Sequence, residues 1–383
     1  MNARVVIVIG FAVAVAAILY LNRRGMGMAP AGQPKAGVPL PVLYSTEKKE
    51  WLEAATQAFE REHPGIDVQL QGKGSLEAMQ GLIDGKDKPV LWSPADSLVM
   101  TLAASDWTTK TGSLLVAAEG SQDAPSPLVI TPLVFVIWED RAEALLKEGA
   151  PSWRLLHDAI ASNRGWPAVG GKAEWGFVKL GHTDPTRSNS GLQSLLSMSF
   201  EYWKKTSGLT VADLLDPKYQ AFIGDIEKGV GKFETSTGTF MTDIFRFGPS
   251  RFDVAVVYEN LAASQLDNAQ GRWGNLKVYY PQTTLWSDHP IALLQTDWVT
   301  DAQKKAAREY VAFLRSRPMQ EQALAYGFRP ADPAVPVKTQ DPRNPFVRLA
   351  GYGIKADLPP AAVPPDAAVV RNLLTMWSRT VQH

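Results

Sequence analysis

The sequence predicts an α/β fold divided into two lobes around largely parallel sheets. Three observations predict it. Short apolar runs alternate with stretches of helical periodicity, as strand–helix units do. Successive runs stop at hydroxyl-bearing residues just before a helix, as in "VLYST", "GKGS" and "VLWSP". Two β-rich runs, residues 126–140 and 284–298, are too long for ordinary strands and read as two crossings between lobes, with a complete α/β unit between them.

The first segment stands apart from this pattern. Val5 to Leu21 is 17 apolar or small residues without a charge, at the short end of what spans a bilayer. Arg4 precedes it, and Arg23 and Arg24 follow. The one candidate cleavage site, Ala29-Pro30-Ala31, sits far downstream and contains a proline, so residues 1–24 are expected to be an N-terminal membrane anchor or uncleaved signal, a transmembrane helix. Residues 25–40, rich in Gly and Pro, form a linker. The Arg pair by itself favours holding its end in the cytoplasm. The character of the folded body argues for the other side: a single-pass cell-membrane protein with its body extracytoplasmic, periplasmic or extracellular.

The body follows in order. "PVLYST" is a strand, and "EKKEWLEAATQAFEREHPG" a helix with Trp51, Ala55 and Phe59 at helical spacing and Pro64-Gly65 as its stop. "IDVQLQ" is a strand that leads to a helix capped by Ser75. "KPVLW" is a strand followed by Ser93, Pro94, Asp96 and a helix. After the first crossing and a helix around residues 152–162, the strand "WGFVKLGHTDP" opens into a loop dense in polar groups. There Ser190-x-x-Gln193 has the form of a capping box. The strand "RFDVAVVYENLAASQL" ends at Tyr258-Glu259-Asn260 and becomes helix. After the second crossing come an amphipathic helix from Asp301, a Pro-rich wrapping segment from Asp332 to Pro365, and a terminal helix. The expected division is lobe I from residues 41–130 and 290–383, and lobe II from 131–289.

Helix starts present unpaired N–H groups and the positive end of a dipole, and ligands of open α/β sheets settle outside the carboxyl ends of the strands. Ser45, Thr46, Ser75 and Ser93 all fall on that rim, although each alone is equally explained as a cap for its own helix. Thr186, Arg187, Ser188 and Asn189 exceed what capping requires.

The ordered set "VLYSTEKKEWLEAATQAFER", "GKGSLEAMQGL", "VLWSPADS", "PLVFVIWED", "KLGHTDPTRSNSGLQSLL", "RFDVAVVYENLAA", "HPIALLQTDW" and "AYGFRP" resembles the bacterial extracellular solute-binding proteins of the molybdate/sulfate-binding type, with the periplasmic-binding-protein type II fold, over roughly Pro41 to Pro330. The resemblance implies a ligand held in an inter-lobe cleft by hydroxyls and main-chain N–H groups. Ser45, Thr46, Ser75 and Ser93 would hold it from one lobe, and Thr186, Arg187, Ser188, Asn189, Ser190 and Tyr258 from the other. It implies a small-molecule ligand, an oxyanion or small carboxylate, delivered to an ABC permease or membrane receptor. Arg187 fits an anion through charge-assisted bidentate bonding, or equally forms a surface salt bridge. Glu259 beside Tyr258 opposes an anion if it points inward. Lys73 stands between Gly72 and Gly74, where a smaller residue would let the backbone approach an oxyanion more freely.

Other functions are weaker on the residues. Net charge is zero, with 39 basic and 39 acidic residues, so no electrostatic footprint for nucleic acid appears. The absence of cysteine excludes disulfides, thiolate catalysis, Cys-ligated metals and a lipid-bearing N-terminal Cys. The five His are scattered without zinc-site spacing, and no P-loop, G-x-G-x-x-G or G-x-S-x-G motif occurs. No catalytic residue, metal ligand or cofactor is therefore assigned, and the chain is read as a non-enzyme. Two alternatives stay open: an interaction or sensor module with a degenerate cleft, and a cleft for a sugar or metal complex.

Overall fold

The computed structural model describes residues 37–381 except 148, 163, 267–272 and 359. The expected membrane segment, residues 5–21, lies outside them. Among the described residues, no helix is long and apolar enough to cross a membrane.

Two sheets organise the chain. The first runs β2–β1–β3–β10–β4, from β1 (Val38–Ser45), β2 (Ile66–Lys73), β3 (Leu91–Ser93), β4 (Ser126–Pro127) and β10 (Pro290–Leu293). Its β2–β1–β3 part is parallel. The connection from β1 to β2 is α1 (Lys49–Glu62), whose buried positions Trp51, Leu52, Ala55 and Phe59 recur on one face. It ends at His63, whose N–H bonds to the Phe59 carbonyl ahead of Pro64, which cannot continue the ladder. Truncating the fully buried Phe59 to Ala would cost about 3–5 kcal/mol. α2 (Ser75–Ile83) and α3 (Ser97–Thr111) complete the repeat of strand and helix.

The second sheet is centred on β5 (Val129–Trp138) and carries β6 (Leu180–Gly181), β7 (Val254–Tyr258), β8 (Leu276–Tyr279), β9 (Trp286–Ser287) and β11 (Arg329–Pro330). Here the expectation of a largely parallel sheet is corrected. β7, β8, β9 and β11 all run antiparallel to β5, and only β6 and β7 pair in parallel. Alternation along β5 explains its unbroken apolar run: Leu133, Phe135 and Ile137 enter one core, and Val134, Val136 and Trp138 the other.

The chain passes between the sheets at Leu128, between β4 and β5, and returns at Asp288–His289, between β9 and β10. The two passages touch, the Leu128 N–H donating to the His289 carbonyl at 3.2 Å. A third passage adds to the two expected. α7 (Asp301–Leu314) and α8 (Arg317–Ala325) pack on the first sheet's side, after which β11 pairs with β5. The stretch beyond Arg329, expected with the first lobe, makes its main contacts with second-sheet elements. The terminal helix α9 (Ala367–Val381) lies on the helices Val211–Leu214 and Pro217–Glu227 and reaches α3 through contacts that include Arg371 with Asp106.

Candidate functional site between the sheets

The three turns at the carboxyl ends of β1, β2 and β3 face the second sheet, and in none of them does the serine act as a simple cap. After β1 the chain makes a short 3-10 turn, Thr46–Lys48, before α1. Ser45 Oγ does not cap this turn; it bonds to both the Glu47 carboxylate and the Lys48 ammonium. Lys48 is wholly buried, and Nζ also donates to the carbonyls of Ser93 (3.0 Å) and Pro94 (3.1 Å) and lies 3.2 Å from His289 Nδ1. His289 Nδ1 stands 3.2 Å from Glu47 as well. Burial alone would raise the Glu47 carboxyl, but the His289 hydrogen bond and the Lys48 charge prevail and hold it at about 2. Burial lowers Lys48 to about 8 against the pull of Glu47, and burial with the Lys48 charge lowers His289 to about 4. The trio therefore holds a carboxylate, an ammonium and a neutral imidazole.

Ser75 is the first residue of α2 rather than its cap, and its Oγ accepts from the Ala95 N–H at 3.0 Å. Asp96, not Ser93, caps α3, accepting from the Leu98 N–H at 2.8 Å. Ser93 Oγ is buried without a partner. Asp96 also reaches the second sheet's side. Its other oxygen accepts from Gln193 Nε2 at 2.8 Å, and Gln193 donates in turn to Ser287 Oγ at 2.9 Å. Burial and the nearby Asp288 raise Asp96 to about 7.

The second sheet contributes α4 (Asn189–Trp203), which begins in the polar loop. The expected capping box does not form, because Ser190 and Gln193 point toward other elements. Ser190 Oγ lies 2.7 Å from both Thr183 Oγ1 and Thr237 Oγ1, and Ser188 Oγ lies 3.3 Å from Thr237. Asn189 Nδ2 donates to Tyr258 Oη (3.0 Å) and Ser287 Oγ (3.3 Å). Burial, with the Glu47 charge adding, pushes the Tyr258 hydroxyl well above its ordinary value, so it stays a neutral donor and acceptor.

The structure thus brings Ser45, Ser93, Asn189 and Tyr258 into one buried cluster around Lys48, Asp96 and His289, with Ser188 and Ser190 on its flank. Thr186 and Arg187 lie outside it. Thr186 closes a turn on Asp184, donating to Oδ1 from N (2.8 Å) and Oγ1 (2.7 Å). The Arg187 guanidinium is 44% exposed and pairs with Glu77 at 3.1 Å. Its carbonyl, however, accepts from the Leu76 and Glu77 N–H groups at 3.1 and 3.0 Å, so the second side itself satisfies the start of α2. Glu259 is turned away from the cluster, held by Arg329 in two bonds of 2.8 Å and by Tyr280.

Beside the cluster a groove of about 570 Å³ runs between the sheets. Thr46 crosses it, Oγ1 accepting from the Gly238 N–H at 3.3 Å at the start of α5 (Thr237–Phe247). From the opposite wall Asn260, in α6 (Glu259–Gln265), donates Nδ2 to the Glu47 carbonyl at 3.2 Å. That bond fixes the amide, and leaves its Oδ1 buried without a partner. Gln193 Oε1 and His289 Nε2 are likewise unpartnered. Buried polar atoms without partners are uncommon in a folded chain, and several of them fall in this inter-sheet region.

Sequence reasoning missed Glu47, Lys48, Gln193, Asn260 and His289 as site residues. Glu47 and Lys48 sit in a run of charges that reads as a solvated first helical turn. Gln193 reads as half of a capping box, and His289 belongs to a strand run with no site spacing. The one available signal was position: all but Gln193 stand within a few residues of a strand end or crossing.

The family profile described as bacterial extracellular solute-binding protein matches residues 40–329. Among solved structures, the chain is similar to the sulfate-binding protein SubI from Mycobacterium tuberculosis, at 17% identity and TM-score 0.55, over 87% of this chain and 96% of that one. It is similar to the periplasmic binding protein AfuA from Actinobacillus pleuropneumoniae, solved with fructose-6-phosphate, at 16% identity and TM-score 0.59, over 90% and 99%. It is also similar to iron-bound HitA from Pseudomonas aeruginosa, at 15% identity and TM-score 0.55, over 90% and 99%. At these identities the likeness is one of fold. No curated protein sequence matches.

Proposed function

The chain belongs to the bacterial extracellular solute-binding proteins, and from that premise we propose that it captures a small solute between its two sheets, outside the cytoplasm, and presents it to an ABC-type permease or a membrane receptor. The lobes of this reading follow the sheets: residues 38–127 with 290–325 on one side, and 129–287 with 329–381 on the other. The observation that carries it is the line Asp96–Gln193–Ser287, in which a side chain from the first sheet's helix is bridged to the second sheet through a residue whose remaining acceptor has no partner. Binding would be non-covalent, stabilising the closed arrangement over an open one. Thr46, Asn189 and Tyr258 are the sequence-derived residues best placed to touch or frame the solute. Ser45 and Ser93 support Lys48.

In the same reading, residues 5–21 tether the body to the membrane. Alkaline extraction of membranes tests that part: a tethered chain stays with the pellet, and release into the supernatant rejects the tether.

A thermal-shift screen of the purified chain against a broad solute library tests the binding itself. A true solute at a hundred times its Kd adds about 2.7 kcal/mol of stability. No shift with any solute class would reject solute capture.

A further inference from the structure

We infer that the solute is a cationic nitrogen compound, an amine or guanidinium carrying several N–H donors, and not an oxyanion; the inference rests on the solute-capture reading above. The groove of about 570 Å³ between the sheets is lined by three carboxylates, Glu47, Glu50 and Glu53, and by one ammonium, Lys49. Lys48 lies behind this wall. Even when it is counted, carboxylates outnumber ammoniums three to two. Its donors are moreover engaged by Ser45 and by the carbonyls of Ser93 and Pro94. Glu47 is offset by Lys48 at 3.9 Å and Glu53 by Lys49 at 4.0 Å, so the lining carries a surplus of one carboxylate, Glu50, which an entering anion would meet as a like charge.

Hydrogen-bond polarity points the same way, independently of charge. Asn260 lines the groove and is 2% exposed, and its Nδ2 is committed to the Glu47 carbonyl. The atom it has left without a partner is Oδ1, an acceptor. Sulfate and molybdate have no donor to give it, whereas an ammonium or guanidinium does. The volume falls within the roughly 300–1,000 Å³ usual for sites of organic ligands. The guanidinium that seemed suited to an anion, Arg187, is paired with Glu77 and does not line this groove.

Titration calorimetry on the purified full-length chain tests the inference, with putrescine, spermidine, agmatine and arginine set against sulfate, molybdate and phosphate, and against glycerol and maltose. The expected result is binding by a member of the first group that weakens as salt is raised. Glu47→Gln should weaken it at least tenfold. Because Glu47 also supports Lys48, the double variant Glu50→Gln/Glu53→Gln, at the groove mouth, provides a second reading, with an expected loss of two- to fivefold and a flatter salt dependence. Binding by an oxyanion or polyol, with no response to any cation, overturns the inference while leaving solute capture standing. Cation binding unchanged in both variants overturns it too. Silence of this panel overturns it, and only silence of the broad thermal-shift library as well removes solute capture.

Discussion

The Lys48 ammonium lies 3.0 Å from the Ser93 carbonyl, so a cation on the turn after β1 is bound by the backbone that ends β3. With Glu47 and His289 it forms a buried ionic knot at the point where the first sheet meets the second crossing.

Lys48→Met is therefore expected to cost about 3–5 kcal/mol, since it leaves the Glu47 carboxylate buried with its counter-charge gone. Adding Glu47→Leu should restore much of that loss. Urea unfolding of Lys48→Met, Glu47→Leu and the double variant checks it; simple additivity of the two substitutions would show that the pair is not coupled.

Two buried histidines should impose opposite pH dependences. His289 has a folded value lowered from 6.5 to about 4, so between those limits the unfolded chain takes up a proton the folded one refuses. Stability then falls as pH drops from about 6.5 to about 4, by up to about 3 kcal/mol. His182 has its folded value raised: burial opposes the charge, but Glu227 at 2.7 Å outweighs it. Its contribution is full below its unfolded value and is lost as pH rises through the folded one. His289→Asn, which tolerates the positive φ of 41° at that position, should remove the His289 part of the slope, read as the difference from the parent chain, and leave the opposite contributions of His182 and of Asp96, whose value is raised to about 7. Chemical unfolding across pH 4–8 measures both.

Gly74→Ala should hinder closure without harming either sheet. The backbone there (φ −59°, ψ 142°) suits any residue, but a Cβ would come within 2.6 Å of the Arg187 carbonyl oxygen and 2.9 Å of that of Thr235. Overpacking of this kind costs about 1–3 kcal/mol. The expected outcome is a larger radius of gyration in small-angle scattering and solute binding weakened by about tenfold or more. An unchanged radius and affinity would mean that this contact does not belong to the closed arrangement.

Trp377→Phe should destabilise the chain by about 1–3 kcal/mol by removing the Nε1 donor, 2.7 Å from Glu227 Oε1. Denaturant unfolding is the measurement. A loss below about 0.5 kcal/mol would show that α9 is held by its apolar face alone.

Much of the fold was legible because strand ends and helix starts are local events. β1, α1 and the presence of crossings within the runs 126–140 and 284–298 follow from apolar period and turn residues close in sequence, although most of the first run is the single ten-residue strand β5. What was not legible is pairing between distant segments. Nothing in "PLVFVIWED" says that β5 will be flanked by antiparallel partners, and nothing in "GFRP" says that two residues will cross to join it. The same holds for the site. Hydroxyls were assigned to a ligand because they sit at strand ends, which is correct as to place. Their partners, such as Lys48 for Ser45 and Thr237 for Ser190, come from 3 and 47 residues away, and only the assembled structure selects them.

The third passage between the sheets bears on how such a molecule moves. Two adjacent connections, like those at Leu128 and His289, behave as a pair of pins on one axle and permit free swinging. The third connection lies on the same axle: Pro330 pairs with Val129, next to Leu128, and the Phe328 ring sits 5.4 Å from that of His289. Arg329 is clamped to the second sheet's side by Glu259 and by the carbonyls of Lys355 and Ala356, so the bending of this connection falls on the Tyr326–Phe328 joint ahead of it. Three pins side by side leave the swing free and resist twisting about any other line.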